Sequence, residues 1–170
     1  MTRQHCQEPY QTTEVLKTKK TPPQYTYIEQ LLKEKVKGRR VLDIGCAEGF
    51  LCYLARKHGA ESAIGIEKSA YRIKRGMKYL PGSKFVKGSI MDNLWVVKDK
   101  DIIIMSRVLY YLTEIEINKL FNKIEAPMLL IRGRNDHPKK YQKLKNIAEL
   151  VKQYGYKPKI LKDDWVICIK

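Results

Sequence analysis

Short apolar runs at residues 40–44, 63–66, 84–87, 101–105 and 128–131 alternate with segments of helical period. This rhythm constrains the fold more than any other feature of the chain. Phe50, Leu51, Leu54 and Ala55 recur at helical spacing, as do Ile117, Leu120, Phe121 and Ile124. The same spacing returns in Leu144, Ile147, Ala148, Val151 and Tyr154, before Gly155. The apolar runs have no polar alternate face, so each strand is expected to be covered on both sides. Strands separated by helices imply parallel pairing in an α/β, doubly wound sheet. Runs 157–161 and 165–169 flank Lys162-Asp163-Asp164 and predict a closing β-hairpin.

Helix boundaries are also written locally. Thr26 with Glu29, and Thr113 with Glu116, have the spacing of capping boxes. The first would open a helix carrying Ile28, Leu31, Leu32 and Val36 and stopped by Gly38. Ser69 is placed to start a basic helix closed by Pro81-Gly82. At 170 residues the chain has room for one domain. Residues 1–20 are polar, end in Lys17-Thr18-Lys19-Lys20 and lack an apolar period, so they read as a basic tail. Residues 21–170 form the expected domain.

Apolar runs of only a few residues exclude a transmembrane helix, and the N-terminal residues lack the apolar stretch of a secretory signal. Cys6, Cys46, Cys52 and Cys168 form no Cys-x-x-Cys pair, which points to a reducing, cytoplasmic compartment. His5, His58 and His137 are scattered, so no metal site is expected. Lys and Arg exceed Asp and Glu by 34 to 18, a net charge of +16. Such an excess suits a polyanion, an acidic surface or an anionic substrate.

In an open α/β sheet, ligands sit beyond the carboxyl ends of the strands. The first such loop reads Val41-Leu42-Asp43-Ile44-Gly45-Cys46-Ala47-Glu48-Gly49-Phe50. Gly45 permits a tight turn, and Gly49 lets the next helix begin close to a ligand. A dinucleotide fingerprint would place glycine where Ala47 stands, and no Gly-Lys-Ser/Thr follows for a P-loop. Asp43 would put a carboxylate at the same crevice, which favours an ammonium over a pyrophosphate. Glu67, at the end of the second run, can accept both hydroxyls of a ribose. An ammonium ligand beside a ribose ligand describes an amino-acid nucleoside such as S-adenosylmethionine.

Residues 41–50 together with Glu67 resemble motif I and the ribose-binding acid of class I S-adenosylmethionine-dependent methyltransferases. The resemblance spans about residues 24–170. It implies a Rossmann-like sheet of about seven strands, mostly parallel with an antiparallel last strand, in agreement with the hairpin. It also implies a cofactor site of Asp43, Gly45, Cys46, Ala47, Gly49, Phe50, Glu67, Lys68, Ser89, Ile90 and Ser106. Two departures stand out. Ser89 occupies the position where the family often carries the acid that reads the adenine amine. After the fourth run the chain reads Ser106-Arg107-Val108-Leu109-Tyr110-Tyr111-Leu112, with arginine where many small-molecule members carry an acid.

No Asp/Asn-Pro-Pro-Tyr motif, no cysteine after proline and no Lys-Asp-Lys-Glu tetrad accompanies these residues. No standard catalytic constellation is complete; the residues expected at the reacting centre are Ser106, Arg107 and Tyr110, acting by placement of the acceptor for in-line displacement on the sulfonium. Arg107, Tyr110, Arg132, Arg134 and Lys139 form the expected substrate rim, and Arg72, Lys74, Arg75 and Lys78 a second basic helix face. Tyr25 and Tyr27 stand either as a cover over the ligand or as a hydrophobic staple. A basic rim with interleaved tyrosines suits a phosphate backbone, RNA before DNA. An anionic small-molecule acceptor is the alternative, as is a non-catalytic subunit that binds cofactor and RNA.

Overall fold

The computed structural model describes residues 13–133 and 143–170. Its central feature is one seven-stranded sheet in the order β3-β2-β1-β4-β5-β7-β6. The strands are β1 Arg40–Ile44, β2 Ser62–Glu67, β3 Lys84–Lys87, β4 Ile102–Ser106, β5 Met128–Arg132, β6 Lys157–Ile160 and β7 Trp165–Ile169. The first five pair in parallel. β7 runs antiparallel between β5 and β6. The doubly wound, mostly parallel sheet is thus the one expected. The hairpin places β7 inside the sheet and β6 at its edge, where Pro158 and two lysines blunt the open side.

Alternation along the strands sorts their side chains into two cores. Leu42, Ile44, Ile103, Met105, Leu129 and Ile131 face one layer. That layer contains α5 (Glu114–Phe121) and α6 (Leu144–Lys152). Val41, Ile102, Ile104, Leu130 and Trp165 face the other. There α2 (Pro23–Lys35) and α3 (Phe50–Lys57) cover the sheet. α4 (Ala70–Tyr79) follows β2 and starts as expected, with Ser69 Oγ accepting the Arg72 N–H at 3.3 Å. The Thr113–Glu116 capping box is complete.

Three local expectations change. α2 starts at Pro23, not at Thr26, and its cap residue Pro22 makes no side-chain hydrogen bond. Proline at the first helical position already has the required φ and lacks the N–H that a cap would satisfy. Glu29 instead accepts from Lys57 Nζ at 2.8 Å and lies 3.0 Å from His58 Nε2, tying α2 to α3. In the segment read as tail, α1 (Thr13–Thr18) forms and Leu16 is fully buried. One apolar side chain per helical turn is too weak a period to read in sequence, but it suffices to fill a gap in the core. β4 and β5 each extend one residue further than the apolar runs, through Ser106 and Arg132.

Candidate functional site

Asp43 lies near the end of β1 and is 2% exposed. Its Oδ1 has no hydrogen-bond partner. Burial pushes its carboxyl well above the usual carboxylate range, and the charge of Glu67 pushes in the same direction. An ammonium beside it would reverse both effects. A buried acceptor left unpaired at a strand's carboxyl end is suited to receive a ligand's donor.

The loop after Asp43 is held open by backbone geometry. Gly45 has φ +71, and its N–H bonds to Ile66 O at 2.9 Å. A Cβ there would stand 2.6 Å from Val108 Cγ2, so Gly45 admits the loop that follows β4. Gly49 has φ +82 at the start of α3, and a Cβ there would strike the Phe85 ring at 2.8 Å. Between them Ala47 is left-handed at φ +52, a conformation that glycine tolerates better.

Glu67 ends β2 at 9% exposure. Its Oε2 accepts the Ala47 N–H at 3.1 Å and its Oε1 accepts the Ser69 N–H at 2.8 Å. Each carboxylate oxygen retains a further lone pair, so ribose hydroxyls can be accepted without breaking either bond. Lys68 beside it is exposed. After β3, Ser89 Oγ accepts the Met91 N–H at 3.2 Å, and Ser89 O accepts from Asn93 Nδ2 at 2.9 Å. Ser89 thus shapes the short turn at Ile90–Asp92.

The remaining expected cofactor residues divide by depth. Phe50 is fully buried, its ring 5.9 Å from Tyr25 and 5.8 Å from Tyr53. It supports the loop from behind, and Tyr25 is buried against it. Ile90 is buried among Val96 and Val97. Cys46 is 4% exposed, and burial raises its thiol pKa together with that of Cys52.

Ser106 ends β4, one position past the Ile44↔Met105 pair and so opposite Gly45. Its Oγ is buried without a partner. Arg107 follows with φ +57, and its N–H donates to Arg132 O at 3.0 Å. Its Nε is buried and unpaired, and no ion pair to Glu114 or to any other described carboxylate forms. The rings of Tyr110 and Tyr111 lie 4.1 Å apart between centroids, tilted by 34°, with Tyr111 69% exposed.

The expected basic rim is narrower than the sequence suggested. Arg132 is 8% exposed; its Nε donates to Asp163 O at 3.1 Å and its guanidinium lies over the Trp165 ring at 5.8 Å. The β5–β7 pairing sets Arg132 opposite Trp165, so the hairpin turn captures its charge. Arg134 and Lys139 lie outside the described residues. On α4, Arg75 turns inward, its Nε 3.5 Å from Oε1 of the fully buried Glu48. Glu48 and Arg75 support the glycine loop from below. Sequence reading did not pair them; an acid inside an otherwise apolar, glycine-rich loop was the available signal.

A family model described as a methyltransferase domain matches residues 23–126. No curated protein sequence matches this chain. Among solved structures, the methyltransferase domain of a bacterial Hen1, CtHen1-C, superposes with a TM-score of 0.67 at 14% identity, over 84% of this chain and 94% of that one. The ribosomal protein L11 methylase of Lactobacillus delbrueckii subsp. bulgaricus gives 0.60 at 18% identity, over 86% and 78%. Magnesium protoporphyrin IX methyltransferase from Synechocystis PCC 6803, solved with bound SAM, gives 0.61 at 16% identity, over 85% and 77%. At these identities the likeness is one of fold.

Proposed function

The chain belongs to the class I S-adenosylmethionine-dependent methyltransferase family, and from that premise we propose that it methylates a nucleic acid, RNA before DNA. The cofactor is S-adenosylmethionine, which supplies an activated methyl on a sulfonium. Asp43 Oδ1 takes the ammonium, and the free lone pairs of Glu67 take the ribose hydroxyls. Ser89 and Ile90 border the adenine, and Gly45, Cys46, Ala47 and Gly49 supply the loop backbone.

Ser106, Arg107 and Tyr110 stand where acceptor and methyl meet, at the carboxyl end of β4. Their work is placement: holding the nucleophile in line with the carbon–sulfur bond accounts for much of the rate in such displacements. A base is needed only where the acceptor is protonated at neutral pH.

The observation that supports the RNA reading is the Tyr110–Tyr111 ring pair, with Tyr111 exposed, which follows Arg107 in sequence in a chain of net charge +16. Exposed aromatic rings on a basic surface are how single-stranded nucleic acid is bound without a deep pocket. The capture of Arg132 by the hairpin removes one rim cation and favours the second reading, a small anionic acceptor. A cytoplasmic site of action accompanies either reading. Methyl transfer from labelled cofactor into separated RNA, DNA, protein and metabolite fractions tests both. Label confined to the protein or metabolite fraction would end the RNA proposal.

A further inference from the structure

We propose that Ser106 and Arg107 form an anion-binding subsite at the carboxyl end of β4, which takes a phosphate or carboxylate group. The inference rests on the methyltransferase reading and names the chemistry at the point where acceptor and cofactor meet.

Three buried polar atoms without hydrogen-bond partners lie at the carboxyl ends of the adjacent strands β1 and β4. These are Asp43 Oδ1, Ser106 Oγ and Arg107 Nε. The carboxylate oxygen accepts, the guanidinium N–H donates, and the hydroxyl can do either. The ammonium of the cofactor satisfies Asp43 and leaves the other two open. Ser106 shares its strand face with Ile102 and Ile104, the face to which Asp43 and Val41 belong on β1. Arg107 follows the last strand residue, where its left-handed φ of +57 breaks the alternation, so a hydroxyl and a guanidinium N–H stand at the carboxyl end of β4, next to the cofactor loop after β1.

The local backbone is arranged at a cost. Arg107 adopts φ +57, which disfavours any side chain with a Cβ. Its N–H is tied to Arg132 O, and Val108 seats against Gly45. This holds the residue where β4 ends. Arg132 shows the contrast: one strand over, its guanidinium has a carbonyl and an aromatic ring. The fold gives Arg107 neither. Arg107 is partly exposed, but its Nε is buried without a partner, and an anionic oxygen there would repay the hydration that this N–H has lost. Oxygen anions match a guanidinium N–H and a hydroxyl better than any neutral group.

Two sources share this chemistry: a phosphate of the acceptor and the carboxylate of the cofactor's amino-acid arm. Calorimetric titrations of S-adenosylhomocysteine and of 5′-methylthioadenosine, which lacks that arm, separate them in wild type, Arg107→Met and Ser106→Ala. Thermal stabilisation by inorganic phosphate, against chloride at equal ionic strength, is read on the same proteins. If the cofactor supplies the anion, S-adenosylhomocysteine affinity falls about 10- to 100-fold in Arg107→Met and methylthioadenosine affinity holds. If the acceptor supplies it, both nucleosides bind as in wild type and the phosphate stabilisation is lost. Unchanged nucleoside affinities with an unchanged phosphate response overturn the proposal. So does an equal loss of both nucleosides, which would mean a damaged pocket. Should Arg107→Met fail to fold, Ser106→Ala and the charge-retaining Arg107→Lys carry the comparison. None of these measurements uses RNA, so a failure of the RNA assignment is read separately in the fraction-labelling experiment.

Discussion

The carboxylate of Glu67 accepts the backbone N–H of Ala47 at 3.1 Å, which ties the end of β2 to the middle of the glycine loop after β1. One side chain therefore shapes the loop, and if it also takes the ribose as proposed, substitutions there act on both stability and binding.

Asp43→Ala should abolish cofactor binding, because it removes the only orphaned carboxylate at the end of β1. Glu67→Ala should weaken binding and also leave the Ala47 and Ser69 amides unpaired, at about 1–3 kcal/mol. Glu67→Gln keeps an acceptor and should lose less stability than Glu67→Ala. Calorimetry with S-adenosylmethionine, alongside melting temperatures, checks the set. Wild-type affinity in both alanine variants would refute the site.

RNA affinity should fall by about a decade or more between low and physiological salt, as displaced counterions require. Tyr111→Ala should weaken single-stranded RNA binding by about 1–3 kcal/mol, the usual loss on removing a stacked ring, and leave cofactor affinity unchanged. Arg132→Glu should behave differently and melt earlier, because its guanidinium is buried against Trp165 and Asp163. Filter binding across a salt series, with melting curves, separates the two residues.

Arg75→Met removes a cation 3.5 Å from the fully buried Glu48. Breaking such a pair from one side costs about 3–5 kcal/mol. The double variant Arg75→Met with Glu48→Leu should recover part of that loss, since the buried charge is gone. Denaturant unfolding of the single and double variants measures the coupling. Additive effects would show that the two side chains act independently.

Acid should weaken the α2–α3 contact through Glu29. Burial alone would raise its carboxyl, but hydrogen bonds from Lys57, Thr21 and His58 outweigh it and lower the pKa to about 2. The native pKa lies below the unfolded one, so this stabilisation is complete above the unfolded value of 4.5 and fades as pH falls toward 2. After allowance for screening at a partly exposed site it is worth about 1–2 kcal/mol. Glu29→Gln should melt earlier than wild type at pH 7, and the two curves should converge near pH 2. A constant gap across that range would contradict the assignment.

What the sequence determined by itself was local and periodic. The apolar runs specified five parallel strands, and Lys162-Asp163-Asp164 specified the hairpin. Thr113 with Glu116, and Ser69, specified two helix starts, because each acts within one turn of its own position. Asp43, Gly45 and Glu67 were legible as a candidate cofactor site because strand ends and tight turns leave a signature in residue type and spacing. Tertiary structure alone decided which charges remain available. Arg75 is spent on Glu48, Arg132 on the hairpin turn, and Glu29 on α3 in place of the cap expected at Thr26. Arg107 keeps a buried, unpaired Nε. A guanidinium reads the same in sequence whether it faces solvent, a buried acid or an empty subsite; its partner comes from a strand or helix distant along the chain, and only packing brings that partner near.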